Sequence, residues 1–186
     1  TDFGFESAVQ AQQVFGGHGY IREWGMEQYV RDARIALIYE GTNGVQAMDL
    51  VGRKLGLAGG AVVQSFFAQI DADIANAAQV ESAIVIAERT AAALQLLRTA
   101  TEQLRDAEID ATGAAATDYL RLFALVAMGW MWTKMASAAM EETPLHKAKR
   151  ELATFFALRV LSQSSGLAVA IASGPKSLMA LPAEAF

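Results

Sequence analysis

Residues 38–46, Ile-Tyr-Glu-Gly-Thr-Asn-Gly-Val-Gln, place one acid at a sharp bend of the chain. A helical pattern ends at Glu40, Gly41 stops it, and Thr42 with Asn43 offers capping oxygens for the next helix. Large apolar neighbours are expected to desolvate the Glu40 carboxylate, and the end of a helix disfavours negative charge there. Both effects favour general-base chemistry. A lone glutamate near a helix end is far more often an ordinary exposed acid, so the bend is what makes Glu40 a candidate.

A glycine-dense turn, Phe-Gly-Gly-His-Gly-Tyr, occupies residues 15–20. Glycines let backbone N–H groups approach a phosphate closely. A helix C-cap explains Gly16 and Gly17 equally well, and the turn lacks the strand and spacing of a dinucleotide fingerprint. Taken alone, the turn therefore favours a structural role. Two histidines and no cysteine also make a metal site improbable, so none is predicted.

The elements that position these residues are predicted to be helices. Apolar spacing and capping signals predict helices over residues 6–15, 26–40 and 44–55, with a capping box formed by Asn43 and Gln46. Three glycines within residues 56–60 mark a boundary. We therefore expect one helical unit over residues 1–58 and a second over residues 59–186.

The second unit is predicted to be an antiparallel helix bundle. Its expected helices cover residues 61–77, 79–108, 117–140 and 144–163, followed by a short apolar helix over 166–173. A break is expected near Gly113, and Thr143-Pro144 reads as an N-cap followed by proline in the first helical position. Short links between long helices are typical of up-and-down bundles. The predicted fold class is all-α.

Composition excludes several kinds of protein. A net charge of −5 argues against a nucleic-acid partner, which usually needs a basic face. The longest apolar run, residues 120–132, contains Arg121 and is shorter than the ~20 residues that span a bilayer, so no membrane span is predicted. The opening residues lack a signal-peptide pattern, and a cytoplasmic location is expected.

Three segments together resemble a known family. Gln13-Val-Phe-Gly-Gly-His-Gly-Tyr20, Val30-Arg-Asp-Ala-Arg-Ile35 and Ile38-Tyr-Glu-Gly-Thr-Asn-Gly-Val-Gln46 resemble, in order and spacing, the C-terminal helical domain of acyl-CoA dehydrogenases. The resemblance covers roughly residues 5–55. The sequence of residues 17–35 and the presence of a bundle after residue 58 make the chain similar to the long bacterial subgroup that includes 3-(methylthio)propanoyl-CoA dehydrogenase.

The resemblance implies a role for each motif residue. Glu40 would be the base that takes the α-proton of an acyl-CoA thioester while the β-hydride passes to the flavin of FAD. Gly41 would lie against the thioester, and Thr42 would contact the FAD. Gln13, Val14, Phe15, Gly16 and Gly17 would reach the adenosine diphosphate part of an FAD bound mainly by a neighbouring subunit. The family also implies a homo-oligomer, a dimer or tetramer, and electron-transferring flavoprotein as electron acceptor.

Details of the motif indicate which branch of the family the chain resembles, and alternative functions remain open. Isovaleryl- and long-chain-type relatives lack a glutamate at the position of Glu40, and acyl-CoA oxidases usually show an acid where Thr42 stands. Many relatives have a polar side chain at the position of Gly44, so its cofactor contact is not carried over. The alternatives are an acyl-CoA oxidase, a non-enzymatic or DNA-associated relative, and a role in assembly for the bundle. Residues 1–186 alone are expected to be inactive.

Overall fold

The computed structural model describes residues 1–185, and backbone contacts divide the chain into two units, Thr1–Gln46 and Ala47–Phe186. Within the described residues every regular element is helical and no strand occurs, which confirms the all-α prediction. The α-helices are α1 (Asp2–Val14), α2 (Met26–Ile35), α3 (Asn43–Gly52), α4 (Ala61–Ala77), α5 (Ile84–Arg105), α6 (Ile109–Ala138), α7 (Pro144–Phe155) and α8 (Ser164–Ala172). The domain boundary expected at residues 58 and 59 stays a prediction.

The first unit is built from α1, two short 3-10 turns and α2. Helices α1 and α2 pack against each other, and the Arg34 guanidinium lies 5.7 Å from the centre of the Phe5 ring. The side-chain amide of Gln12 donates to the Gly19 carbonyl at 3.1 Å, which folds the 3-10 turn Gly16–Gly19 back onto α1. A Cβ on Gly19 would stand 2.5 Å from the Gln12 carbonyl oxygen, so only glycine fits there.

The second unit is a bundle of α4, α5, α6, α7 and α8 around one apolar core. Short links join α4 to α5 and α5 to α6, as in an antiparallel bundle. The core is composed of fully or nearly fully buried side chains from successive helices, among them Phe67, Ile70, Leu94, Leu97, Leu122, Val126 and Leu161. Helix α3 adds Ala47 and Val51 to this core.

An aromatic group ties α4 to α6. The Phe66 ring stacks on Phe123 at 5.3 Å between centroids and meets the Trp130 ring edge-on at 5.5 Å. The Trp130 indole donates to Asp73 Oδ2 at 2.7 Å, and Lys134 Nζ donates to the same oxygen at 3.1 Å. The tryptophan thus keeps its N–H satisfied while its ring packs between helices.

Several predicted helix limits differ from the structure, and two of these differences change the course of the chain. The expected break near Gly113 lies within α6, and the chain instead turns at residues 106–108. Alanines surround Gly113 and restore the local helix propensity that glycine lowers. The helix expected over residues 26–40 ends at Ile35, because the following residues form turns, with the Tyr39 N–H donating to the Ile35 carbonyl at 3.1 Å.

The start of α7 has the predicted cap. Thr143 precedes Pro144 at the first helical position, and its hydroxyl accepts the His146 N–H at 3.2 Å. The helical path continues beyond α7 through a π-helical turn, Phe156–Val160, and a 3-10 turn, Leu161–Gln163, into α8.

Among the described residues, one stretch, Pro144–Ala172, is long and apolar enough to cross a membrane by those two criteria alone. It packs on α5 and α6, and core helices of globular proteins meet the same criteria, so this is weak evidence for a membrane span. The predicted absence of a membrane span therefore stays a prediction.

Candidate active site

The bend at Glu40 has an unusual backbone conformation. Glu40 has φ 52° and Gly41 has φ 86°, so both residues lie in the left-handed region. For glycine this conformation is free of strain, but a residue with a Cβ pays about 1 kcal/mol or more. Strained positions of this kind persist where the surrounding structure enforces them, and they cluster at functional sites. The backbone thus singles out Glu40 independently of its side chain.

Hydrogen bonds close the bend from both sides. The Asn43 N–H donates to the Leu37 carbonyl at 3.4 Å, which joins the two ends of the loop. The side-chain amide of Gln46 donates to the Glu40 carbonyl at 3.3 Å. A hydrogen bond contributes about 1 kcal/mol net, similar to the strain of one left-handed residue. The Gln46 bond is therefore large enough to offset the strain at Glu40.

Of the two capping groups predicted for the first turn of α3, the structure has one. The Thr42 hydroxyl accepts the Val45 N–H at 3.4 Å, so Thr42 is the capping residue. The expected capping box of Asn43 and Gln46 does not form. Asn43 instead donates to the Asp2 carboxylate at 2.7 Å and accepts from the Thr1 hydroxyl at 3.1 Å, which fastens the start of α3 to the start of α1.

The Glu40 carboxylate is exposed, so the desolvation expected from its neighbours is not provided by this chain. Ile38 and Tyr39 are themselves 46% and 54% exposed, and Leu37 is half-buried. Exposure on this scale leaves the carboxylate accessible to a ligand. It also means that any dry environment around Glu40 must come from another chain segment or from the ligand.

The predicted cofactor residues lie at the end of α1 and in the turn after it. Gln13 and Val14 are the last residues of α1, Phe15 follows, and Gly16 has φ 58°. All five residues, Gln13 to Gly17, are exposed, and Val14 is 86% exposed. Among the described residues nothing lies within 4 Å of a Cβ built on Gly16 or Gly17. The backbone of this turn is therefore open to a large ligand such as the diphosphate of FAD.

The two groups of predicted site residues lie at opposite ends of α1. Asn43, next to Thr42, contacts Asp2 at the start of the helix, whereas Gln13 to Gly17 are at its end. At 1.5 Å per residue, α1 is about 17 Å long from Asp2 to Gln13. The structure thus brings Glu40, Gly41 and Thr42 together and separates them from the glycine turn.

The first unit exposes much apolar surface for its size. Gly19 is the only buried residue among its described members. The most exposed large apolar side chains, besides Val14, are Tyr20 at 80%, Tyr29 at 68% and Val45 at 57%. Apolar surface of this extent is typical of a face that packs against another domain or chain.

Sequence reasoning missed two supporting residues of these turns. Gln46 was assigned to a capping box, and its contact with Glu40 depends on the left-handed backbone, which a glutamate rarely adopts. Gln12 supports the glycine turn, and its only sequence signal is its place before three closely spaced glycines. In the bundle, a cavity of about 150 Å³ lies between α5 and the π-helical turn, and none of the predicted site residues lines it.

Comparison with known proteins matches each part of the chain to a family model of its own. Residues 1–55 match the family described as "Acyl-CoA dehydrogenase, C-terminal domain", and residues 66–182 match "Acetyl-CoA dehydrogenase C-terminal like". The second match alone covers more than half of the chain, and the first contains every predicted site residue.

Curated relatives agree with these matches. The chain is 33% identical over 178 residues to 3-methylmercaptopropionyl-CoA dehydrogenase of Ruegeria pomeroyi, covering 89% of the chain and 30% of the relative. It is 24% identical over 200 residues to the broad-specificity linear acyl-CoA dehydrogenase FadE5 of Mycobacterium tuberculosis, covering 98% and 33%. Over 55 residues, 30% of the chain and 13% of the relative, it is 46% identical to bovine mitochondrial isobutyryl-CoA dehydrogenase. The chain spans about a third of the length of the first two relatives, and it belongs to the acyl-CoA dehydrogenase family, whose C-terminal helical regions it contains.

Proposed function

We propose that the full-length protein is an FAD-dependent oxidoreductase that introduces an α,β double bond into an acyl-CoA thioester, with Glu40 as the base. The observation that carries this proposal is the left-handed Glu40–Gly41 bend, which presents an exposed carboxylate at the point where the family motif has its base. A strained glutamate without a catalytic task would be easily replaced by glycine. The family match over residues 1–55 supports the same role.

The neighbours of Glu40 divide the remaining work. The backbone of Gly41 would lie against the thioester, and its φ of 86° favours a residue without a side chain. The Thr42 hydroxyl accepts the Val45 N–H, which leaves the hydroxyl proton available for donation to a cofactor. The backbone N–H of Glu40 would stabilise the developing enolate oxygen, since a base at a sharp turn leaves its own N–H free to point at the substrate.

FAD is the implied cofactor, and the residues present fit it. FAD, when bound, accepts the hydride that leaves the β-carbon as the double bond forms. Glu40 takes the α-proton in the same reaction, so its carboxylate ends protonated and must release the proton before another turnover. The electrons would leave through electron-transferring flavoprotein.

The two groups of site residues lie at opposite ends of α1, which supports a model in which each active site takes residues from two subunits. Glu40 and Thr42 would serve the site of their own subunit, while Gln13, Val14, Phe15, Gly16 and Gly17 would contact the FAD of a neighbouring subunit. One subunit would then contribute to two active sites, which requires a homo-oligomer, a dimer or tetramer. The exposed apolar face of the first unit is the surface we propose for this contact and for the rest of the same protein.

For the substrate we propose a short acyl-CoA with a thioether, 3-(methylthio)propanoyl-CoA. The support is the similarity to the Ruegeria protein along 89% of the chain. Linear acyl-CoAs are the second candidate, because the mycobacterial relative is named for them and matches 98% of the chain. We place the enzyme in the cytoplasm.

Steady-state assays of the full-length protein with an artificial electron acceptor test this proposal. The panel compares 3-(methylthio)propanoyl-CoA, butyryl-CoA, isobutyryl-CoA and octanoyl-CoA. Oxygen consumption would reveal an oxidase, and turnover of none of the thioesters would favour the non-enzymatic or DNA-associated alternative. Against the latter stands the net charge of −5.

The role of Glu40 is tested by Glu40→Gln in the same protein. Turnover and exchange of the substrate α-proton with solvent should both fall by at least about 100-fold, while flavin content is unchanged. Glu102→Gln is the matched control, because Glu102 is an exposed glutamate of α5 outside the predicted site. Turnover of Glu40→Gln within tenfold of the wild type would show that another group is the base.

A further inference from the structure

Among the described residues, Gln46 is the residue whose side-chain amide forms a hydrogen bond with the backbone of the Glu40 bend. Its Nε2 atom donates to the Glu40 carbonyl at 3.3 Å and stands 2.9 Å from the position that a Cβ on Gly41 would take. The amide therefore covers Gly41 and holds the carbonyl of Glu40 at the same time. No motif assignment above gives Gln46 a part in the reaction.

We infer that Gln46 is a positioning residue: its amide holds Glu40 in the left-handed conformation and thereby aims the carboxylate at the substrate. This inference rests on the proposed function. The φ angle of Glu40 sets the direction of its Cα–Cβ bond relative to the N–H of the same residue, because these two bonds lie at opposite ends of the N–Cα bond. Rotation toward the ordinary negative range would therefore change how the proton acceptor and the proposed enolate donor are arranged around the substrate, so a single bond from Gln46 controls the relative placement of two catalytic groups.

Gln46 itself is well fixed. Its backbone N–H donates to the Thr42 carbonyl at 3.0 Å, within the first turn of α3. That turn is capped by the Thr42 hydroxyl, and Asn43 attaches it to Asp2 at 2.7 Å. The glutamine amide is therefore carried by a part of the chain whose position does not depend on the bend it stabilises.

The chemistry of glutamine suits this task. The Glu40 carbonyl needs a donor, and the nearby carboxylate must stay a free base. A lysine at position 46 would donate but would also attract the carboxylate, whereas a glutamate would present only acceptor oxygens at neutral pH. A neutral amide donates without adding charge beside the base.

The test uses the full-length holoenzyme with Gln46→Met, which preserves side-chain length and removes the donor. We expect kcat and α-proton exchange to fall about tenfold, while KM and flavin content change little. Gln103→Met is the control, since Gln103 is an exposed glutamine of α5, and it should match the wild type in every measurement. Equal exchange rates for Gln46→Met and Gln103→Met would overturn the inference, and so would a parallel loss of flavin, which indicates a structural role alone.

A second measurement keeps the inference testable if Glu40 is not the base. Thermal unfolding of Gln46→Met, Glu40→Gly and the double variant forms a cycle that reports the conformational contact without any activity. Gly tolerates φ 52° unaided, so Gln46→Met should lower Tm less in the Glu40→Gly background than in the wild type. Equal decreases in both backgrounds would show that Gln46 does not hold the bend. Failure of the proposed function would instead appear as a wild-type protein without turnover or an active Glu40→Gln variant.

Discussion

Gly129 of α6 lies directly against Thr90 of α5, so closely that a Cβ on Gly129 would stand 2.8 Å from Thr90 Oγ1 and 3.3 Å from Leu161 Cδ2. The Thr90 hydroxyl is 3.3 Å from the Thr133 hydroxyl, which donates to the Gly129 carbonyl at 2.8 Å. Both threonines are completely buried. The contact between the two longest helices of the bundle thus depends on the absence of one side chain and on a satisfied pair of hydroxyls.

Gly129→Ala should lower the free energy of unfolding by about 1–3 kcal/mol, because the added methyl forces the helices apart. Helix propensity works in the opposite direction by about 1 kcal/mol. Gly113→Ala in the same helix is the control: nothing lies within 4 Å of its Cβ position among the described residues, so it should be stabilising. Urea unfolding followed by circular dichroism measures both, and a stabilising Gly129→Ala would contradict the close contact.

The buried Tyr119 should make the bundle sensitive to high pH. Its hydroxyl pairs with the Thr101 hydroxyl at 2.7 Å, and Thr101 donates to the Leu97 carbonyl, so Tyr119 is the donor in the pair. Burial raises the pKa of Tyr119 to about 12, against about 10 in the unfolded chain. Since the folded value is the higher one, this stabilisation is complete below pH 10 and is lost as pH rises through 12.

Tyr119→Phe tests this dependence. The variant should be less stable by about 1 kcal/mol at neutral pH and should lose less stability than the wild type between pH 10 and 12. Tyr29→Phe, at a tyrosine that is 68% exposed, should leave the alkaline profile unchanged. Identical alkaline slopes for the wild type and Tyr119→Phe would show that ionisation of Tyr119 does not contribute.

The bond between Trp130 and Asp73 predicts a corresponding effect at low pH. The Trp130 indole, and secondly the Lys134 ammonium, lower the pKa of Asp73 below 3.8. The resulting stabilisation is present above pH 3.8 and is lost as pH falls through the folded-state value. Trp130→Phe should cost about 1–3 kcal/mol at neutral pH and flatten the acid profile. Trp132→Phe is the control, because Trp132 packs on Phe156 and donates no hydrogen bond to a carboxylate among the described residues. A Trp130→Phe profile with the wild-type acid slope would refute the coupling.

Glycine substitution at the two left-handed residues should separate stability from activity. Glu40 has φ 52° and Ala58 has φ 50°, so glycine at either position should stabilise the full-length protein by about 1 kcal/mol. Ala58→Gly should keep full activity, whereas Glu40→Gly should abolish it. Thermal unfolding and turnover of both variants provide the test, and a destabilised Ala58→Gly would argue against strain at these positions.

Gly41→Ala should have the reverse effect. Its φ of 86° is unfavourable for alanine, and the new methyl would stand 2.9 Å from Gln46 Nε2. We expect loss of turnover together with lower stability, because the bend and the Gln46 contact are disturbed at once. Gly44→Ala is the control, since its nearest atom is 3.8 Å away and its φ is helical. Wild-type turnover in Gly41→Ala would mean that the bend tolerates a side chain.

Local signals were sufficient for elements whose limits are set by neighbouring residues. The helix predicted over residues 61–77 has those limits in the structure, because glycines before it and a short link after it leave no alternative. Pro144 and its threonine cap were equally readable. The helix break predicted near Gly113 was wrong, because a glycine ends a helix only when its neighbours do not favour one.

The location of the candidate site could be predicted from the sequence, but the hydrogen bonds that hold it in place could not. Gly41 and Thr42 marked a bend after Glu40, and the structure has a bend there. The left-handed conformation of Glu40 itself carries no sequence signal, because the residue type opposes it. The hydrogen bond from Gln46 to the Glu40 carbonyl depends on that conformation, so it could not be predicted either. Asn43 forms its hydrogen bond with a residue of α1, about forty residues earlier in the chain, and local sequence gives no signal for such a contact.

The left-handed backbone of Glu40 also means that stability and catalysis favour different residues at this position. Selection for a stable fold favours glycine, whereas selection for the reaction favours glutamate. A lineage that no longer needs the base gains stability by exchanging it for glycine or asparagine, because both residue types adopt the left-handed conformation more readily than glutamate. A lineage that keeps glutamate here retains a less stable residue in every generation. The identity of residue 40 is therefore a record of whether selection still maintains a base at this bend.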